Sequence, residues 1–200
     1  MGKKILRFCV CIVLISAVLV GASFGMKTLN EKYTEASFPL KYQKEVEAAA
    51  ERYGVDKYLV YGVIKTESNF DPDARSHVGA TGLMQLMPET FEWIQTYYVD
   101  ETYDKYKFED LSDPVLNIDY GTNILSILID MYDGEEDTAV CAYNAGIGNV
   151  NLWLEDSRYS DDGKTLKEVP FPETDNYRHM VAQNKSCYKA YYSDKENIKK

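Results

Sequence analysis

Glu67 is the residue whose placement first suggests chemistry. Val60, Val63, Ile64 and Glu67 stand at i, i+3, i+4 and i+7, so they share one face of a helix. The carboxyl continues an apolar stripe, whereas Lys65, Thr66 and Ser68 face elsewhere. A carboxyl set against apolar neighbours resists ionisation, and its pKa rises. Such a group keeps its proton near neutral pH and can act as a general acid. A glutamate that merely turns to solvent at a helix end would show the same spacing. The segment that follows favours chemistry. In "NFDPDARS", Pro72 fixes its own φ and restricts Asp71, so the helix must stop and the chain turn back. "GATGLMQLMP" then places Gly79 and Gly82 where the backbone needs a close approach or a positive φ. Gln85 offers one acceptor and two donors to a polar ligand. Met84 and Met87 can line a groove, and Leu83 and Leu86 can anchor the segment in a core.

The elements that must position these residues read as helices. "KYQKEVEAAAERYG" predicts a helix over Lys41–Tyr53, stopped by Gly54. Asp56 can cap "KYLVYGVIKTES". Pro88 can open "PETFEWIQTYY" at its first turn. "SDPVLNIDYGTNILSILIDMYDG" carries Asp113 as cap, Pro114 at the first turn and Gly134 as stop. "EDTAVCAYNAG" and "GNVNLWLED" read as two short helices joined through Gly146 and Gly148. A loop over Asp156–Pro172 precedes a last helix over Thr174–Tyr192. No segment alternates as a strand does. The expected organisation is an N-terminal segment over 1–26, a polar linker over 27–40, a mainly α domain over 41–192 and a polar tail over 193–200.

The chain has 200 residues, 45% of them hydrophobic, enough for one domain with a sizeable core. Its 17 tyrosines suit a groove that receives flat-faced polar ligands such as sugars, although packing alone also uses them. The net charge is −10, and the basic residues Lys3, Lys4 and Arg7 lie outside the domain. The body is therefore more acidic still, with no broad basic surface for nucleic acid. Lys3, Lys4 and Arg7 precede an apolar run from Phe8 to Met26. A secretory signal has an apolar core of about 7–15 residues. A spanning helix needs about 17–25, which favours an uncleaved anchor over a cleaved signal. Either way the basic end stays cytoplasmic and the body is exported. Cys141 and Cys187 could pair in that compartment or remain buried thiols. His77 and His179 are the only histidines, and no Cys/His spacing suits a metal.

"ESNFDPDARSHVGATGLMQLMPET" resembles the signature of the family 1 soluble-lytic-transglycosylase domains. "DPVLNIDYGTNIL", "AYNAGIGNV" and "PFPETDNYRHMV" follow in the expected order. The resemblance runs over roughly Tyr42–Tyr192. It implies a goose-lysozyme-like fold and action on peptidoglycan glycan strands, with no cofactor. It also implies roles for single residues. Glu67 would be the sole catalytic acid/base. Ser76 would lie near Glu67 or the substrate acetamido group. Gln85 and Met87 would line the saccharide groove, with Thr90 a weaker candidate. Tyr143 and Asn144 would face the catalytic centre, and Tyr177 would place its hydroxyl near Glu67 or the sugar. Goose-type lysozymes carry an aspartate between the positions of Ser76 and Gln85. This chain has none there, which favours a lytic over a hydrolytic reaction. Asp71 and Asp73 are read as turn residues. A hydrolytic muramidase and a non-catalytic wall-binding module remain the alternatives.

Overall fold

The computed structural model describes residues 21–23, 25–26, 28–29, 32–97 and 106–198. The chain divides into two units, Met1–Leu40 and Lys41–Lys200. In the first, residues 32–37 are helical, so the stretch read as a polar linker is partly ordered as helix. The apolar run read as an anchor falls mostly outside the described residues, which include only 21–23 and 25–26 of it. No helix among the described residues is long and apolar enough to cross a membrane.

The second unit is helical, and the described residues include no strand. Its helices are α1 (Gln43–Tyr53), α2 (Lys57–Ser68), α3 (Pro88–Tyr97), α4 (Pro114–Met131), α5 (Glu136–Ala145), α6 (Ile147–Leu154) and α7 (Pro172–Ile198). A 3-10 turn over Phe108–Ser112 precedes α4. The residues read as a polar tail from 193 instead continue α7 through Ile198. Nothing between Tyr192 and Ile198 breaks a helix: the run "SDKENI" holds neither proline nor glycine.

The caps act as their residue types dictate. The Asp56 carboxylate accepts from the Tyr58 N–H at 2.9 Å and starts α2. Asp113 accepts from Val115 and Leu116, with Pro114 at the first turn of α4. Gly54 ends α1 at φ 69°, and its N–H donates to the Ala50 carbonyl.

Helix α2 is buried on all sides from Tyr58 to Ile64. It packs most extensively on α7, and also meets α1. Gly62 makes the α2–α7 approach possible. A Cβ there would stand 2.9 Å from the Val181 carbonyl oxygen, closer than packed atoms tolerate. Helix α4 packs on α1 and α5, and α5 meets α6 and α7. Glu67, at the end of α2, therefore lies where the deepest helix leaves the core. Cys141 is buried and Cys187 half-buried, and both are free thiols.

Candidate active site

Helix α2 ends one residue after Glu67. Asn69 takes φ 49° and donates its N–H to the Lys65 carbonyl, and Phe70 follows at φ 65°. Two successive left-handed residues reverse the chain, and Phe70 buries its ring at 2% exposure. Asp71 accepts from the Asp73 N–H at 3.0 Å, closing the turn. The stop thus comes three residues before Pro72, which constrains the turn and does not end the helix.

The segment from Arg75 to Leu86 folds back on itself through the isolated bridges Arg75–Thr81 and Thr81–Leu86. Ser76 closes this turn. Its Oγ accepts from the Ala80 N–H at 2.9 Å, and its own N–H donates to the Ala80 carbonyl. Gly82 takes φ 78° and Gln85 φ 47°. The Gln85 amide donates to the carbonyls of Gly82 at 2.9 Å and Ala74 at 3.2 Å, which holds the strained residue in place.

Asn117, fully buried on α4, fastens this segment from below. Its Oδ1 accepts from the Met84 N–H at 2.8 Å. Its Nδ2 donates to the Thr81 carbonyl at 2.9 Å and to the Leu111 carbonyl at 3.0 Å. One side-chain amide thereby satisfies three buried backbone groups, each costly to leave unpaired. From the other side, Ser68 Oγ donates to the Leu83 carbonyl at 2.8 Å.

Glu67 retains some surface but is closely surrounded by protein. That desolvation pushes its carboxyl from the ordinary 4.5 up to about 7, despite a hydrogen bond from Tyr177 that works in the opposite direction. The Tyr177 hydroxyl donates to Glu67 Oε1 at 2.7 Å. Tyr177 comes from α7 and is 5% exposed. The Tyr143 hydroxyl donates to the Met84 carbonyl at 2.9 Å. Burial, and then the charge of Glu67, raise the pKa of both phenols well above its usual value. Among the described residues, no second carboxylate contributes to the displacement of Glu67.

A cleft of about 230 Å³ opens beside this centre, and Tyr143 forms part of its wall. Gln85, Met87 and Thr90 lie along it, over an apolar floor that includes Ile124 and Leu128. The structure thus brings Glu67 and Tyr177 into contact, and Gln85, Met87, Thr90 and Tyr143 onto one cleft. The hydroxyl and N–H of Ser76 bond within its own turn. Asn144 is exposed, and its Oδ1 accepts from Thr174 Oγ1 at 2.8 Å. Three further lining residues, Glu89, Trp93 and Ile147, were not read from the sequence. Trp93 had a signal: Met87, Thr90 and Trp93 recur every three residues. Asn117 had none, because a buried polar hub looks like any other helical asparagine. Among the described residues, no group of three or more His, Cys, Asp or Glu could hold a metal.

A desolvated carboxyl held by a tyrosine, with a cleft walled by the neighbouring Tyr143, on an all-helical frame, defines a lysozyme-like class of protein. The family model for the transglycosylase SLT domain matches residues 44–166, and the chain belongs to that family. It is 29% identical over 167 residues to the soluble lytic murein transglycosylase of Escherichia coli, covering 83% of this chain and 26% of that protein. It is 37% identical over 117 residues to the membrane-bound lytic murein transglycosylase C of Haemophilus influenzae, covering 55% of this chain and 32% of the relative. The lytic transglycosylase Slt of Pseudomonas aeruginosa, solved as an inactive glutamate-to-glutamine mutant, superposes with a TM-score of 0.69 at 30% identity. That superposition covers 80% of this chain and 25% of the other. The chain thus spans about a quarter to a third of the length of these relatives. The expected lysozyme-like helical fold is met.

Proposed function

We propose that this chain is a peptidoglycan lytic transglycosylase. It would cleave the β-1,4 bond between N-acetylmuramic acid and N-acetylglucosamine and leave a 1,6-anhydromuramic end. The observation that carries this reading is Glu67: a carboxyl that desolvation raises to about 7, held by the Tyr177 hydroxyl and acting on Tyr143, which walls the cleft. Protonated Glu67 donates to the glycosidic oxygen as the bond to the anomeric carbon breaks. The 2-acetamido oxygen of the muramic residue attacks that carbon, giving an oxazolinium-like intermediate. The Glu67 carboxylate then takes the proton of the 6-hydroxyl, whose oxygen closes onto the anomeric carbon and displaces the acetamido group. The acid returns to its starting form, and water is not consumed. Tyr177 can stabilise the carboxylate between the two steps, because its hydroxyl donates to it. The relatives' names, and the inactive glutamate-to-glutamine mutant of the Pseudomonas protein, support the assignment.

Two-carboxylate glycosidases need one acid protonated and the other ionised. Here one group must be protonated at the start. The kcat/KM on purified sacculi should therefore fall above about pH 7 with a slope of one. It should show no second limb from a carboxylate between pH 4 and 7. A bell-shaped profile over that range would point to two titrating carboxylates and against this mechanism.

We further propose that the domain works outside the cytoplasm, held to the membrane by residues 1–26. An acidic body gains nothing from attraction to an anionic surface, so a tether would replace charge. The full chain should sediment with membranes in cell fractionation. A chain lacking residues 1–26 should not, and equal sedimentation of both would defeat the tether.

A further inference from the structure

The hydrogen bonds around Glu67 close into a circuit. Ser68, next in the chain, donates to the Leu83 carbonyl at 2.8 Å. The adjoining Met84 carbonyl accepts from Tyr143 at 2.9 Å. Asn144, next to Tyr143, accepts from Thr174 Oγ1 at 2.8 Å. Thr174 lies one turn before Tyr177 on α7, and Tyr177 returns to Glu67 Oε1 at 2.7 Å. Every other link in this circuit is either backbone or a residue already placed in the site. Thr174 is the exception: it is 2% exposed, touches neither cleft nor carboxyl, and spends its hydroxyl on Asn144.

We infer that Thr174 is a positioning residue: by holding Asn144 it fixes the first turn of α7, and so the Tyr177 hydroxyl on Glu67. The same bond occupies Asn144 Oδ1. The exposed Asn144 amide is then left to present its N–H groups, as donors, to a ligand. A second tie joins the two helices independently, since Arg178 on α7 pairs with Asp137 on α5 as well as with Asp175. Loss of the Thr174 hydroxyl therefore loosens the register of Tyr177 without detaching α7. Among the described residues, the titratable group that acts on Glu67 is Tyr177 from α7, and the charge of Glu67 acts in turn on Tyr143 from α5.

The inference rests on Glu67 being the acid, and its test separates the two. The Glu67 carboxyl is titrated by NMR in the ligand-free protein carrying labelled glutamate. Wild type, Thr174→Val, Thr174→Ser and Tyr177→Phe are compared. Tyr177→Phe removes the hydroxyl that stabilises the carboxylate, so the midpoint should rise by roughly half a pH unit or more. Thr174→Val should rise in the same direction, and Thr174→Ser should stay at the wild-type value. On sacculi, kcat should fall roughly tenfold or more in Thr174→Val and return in Thr174→Ser. If Thr174→Val fails to fold, Asn144→Ala removes the same bond from the other side and should raise the midpoint likewise. A midpoint that moves in Tyr177→Phe but not in Thr174→Val or Asn144→Ala overturns the positioning role. A midpoint unmoved by Tyr177→Phe overturns it too. A wild-type protein inert on sacculi would refute the proposed function, while the titration would still decide the role of Thr174.

Discussion

Glu67→Gln should reduce turnover of peptidoglycan by at least about a hundredfold, the low end of what general acid–base catalysis supplies. Gln keeps the shape and can accept the Tyr177 hydrogen bond, but it has no proton to give the leaving oxygen. Its stability should move in the opposite direction. In the folded protein Glu67 holds its proton up to about pH 7, whereas the unfolded chain releases it near 4.5. Between those values the unfolded state binds fewer protons, so raising the pH destabilises the wild type. The penalty is absent below pH 4.5, grows through the window and is complete above pH 7. The amide never pays it. At pH 8 Glu67→Gln should therefore be the more stable protein, by up to about 3 kcal/mol, the free energy equivalent of the displaced pKa. Urea unfolding at pH 4 and pH 8 checks the sign. A variant that is inactive yet more stable at pH 8 excludes unfolding as the cause of its inactivity.

Gly82→Ala should be strongly destabilising. At φ 78° any residue with a Cβ is strained, by roughly 1–2 kcal/mol. The Cβ would also stand 2.4 Å from Asn117 Nδ2, 2.8 Å from its Cγ and 3.0 Å from the Leu111 carbonyl. Displacing Asn117 leaves the Met84 N–H and the Leu111 carbonyl without that partner, at roughly 1–3 kcal/mol for each buried group left unmade, while the Thr81 carbonyl keeps only the Leu86 N–H. A total of about 3 kcal/mol or more should lower Tm by at least about 6 °C in a domain of this size. Activity should fall with it, because the Met84 carbonyl receives Tyr143. Gly79→Ala is the control. Gly79 also has positive φ, at 99°, but nothing lies within 4 Å of a Cβ there. Only the strain should remain, about 1 kcal/mol. Thermal unfolding of both variants separates backbone strain from steric collision. Equal losses would show that Asn117 yields freely.

The parts of this site that sequence makes legible are those set by local rules. Helical spacing put Glu67 on the apolar face of α2, and its raised pKa follows from that burial. Asp56, Asp113 and Gly54 cap as their chemistry requires. Pro72 correctly announced a reversal, but the left-handed pair Asn69–Phe70 makes it, and neither residue signals positive φ as glycine does. Contacts across long separations were not legible from spacing. Tyr177 is 110 positions from Glu67, and only the resemblance to a family brought them together. Asn117 and Thr174 act through bonds to distant backbone and side-chain groups, so no local pattern distinguishes them. Ser76 was expected near the carboxyl or the substrate acetamido group, and its hydroxyl oxygen accepts from Ala80 within its own turn. The helix over residues 32–37 and the extension of α7 to Ile198 were missed for the opposite reason. Polar, charged composition suggested loops where nothing in the sequence forbids a helix.

The most direct measurement is mass spectrometry of the glycan ends released from purified sacculi in water labelled with heavy oxygen. The expected ends are anhydromuramic, one water lighter than reducing sugars, and they carry no label. Labelled reducing ends would contradict ring closure by Glu67 and show that water attacks the anomeric carbon instead.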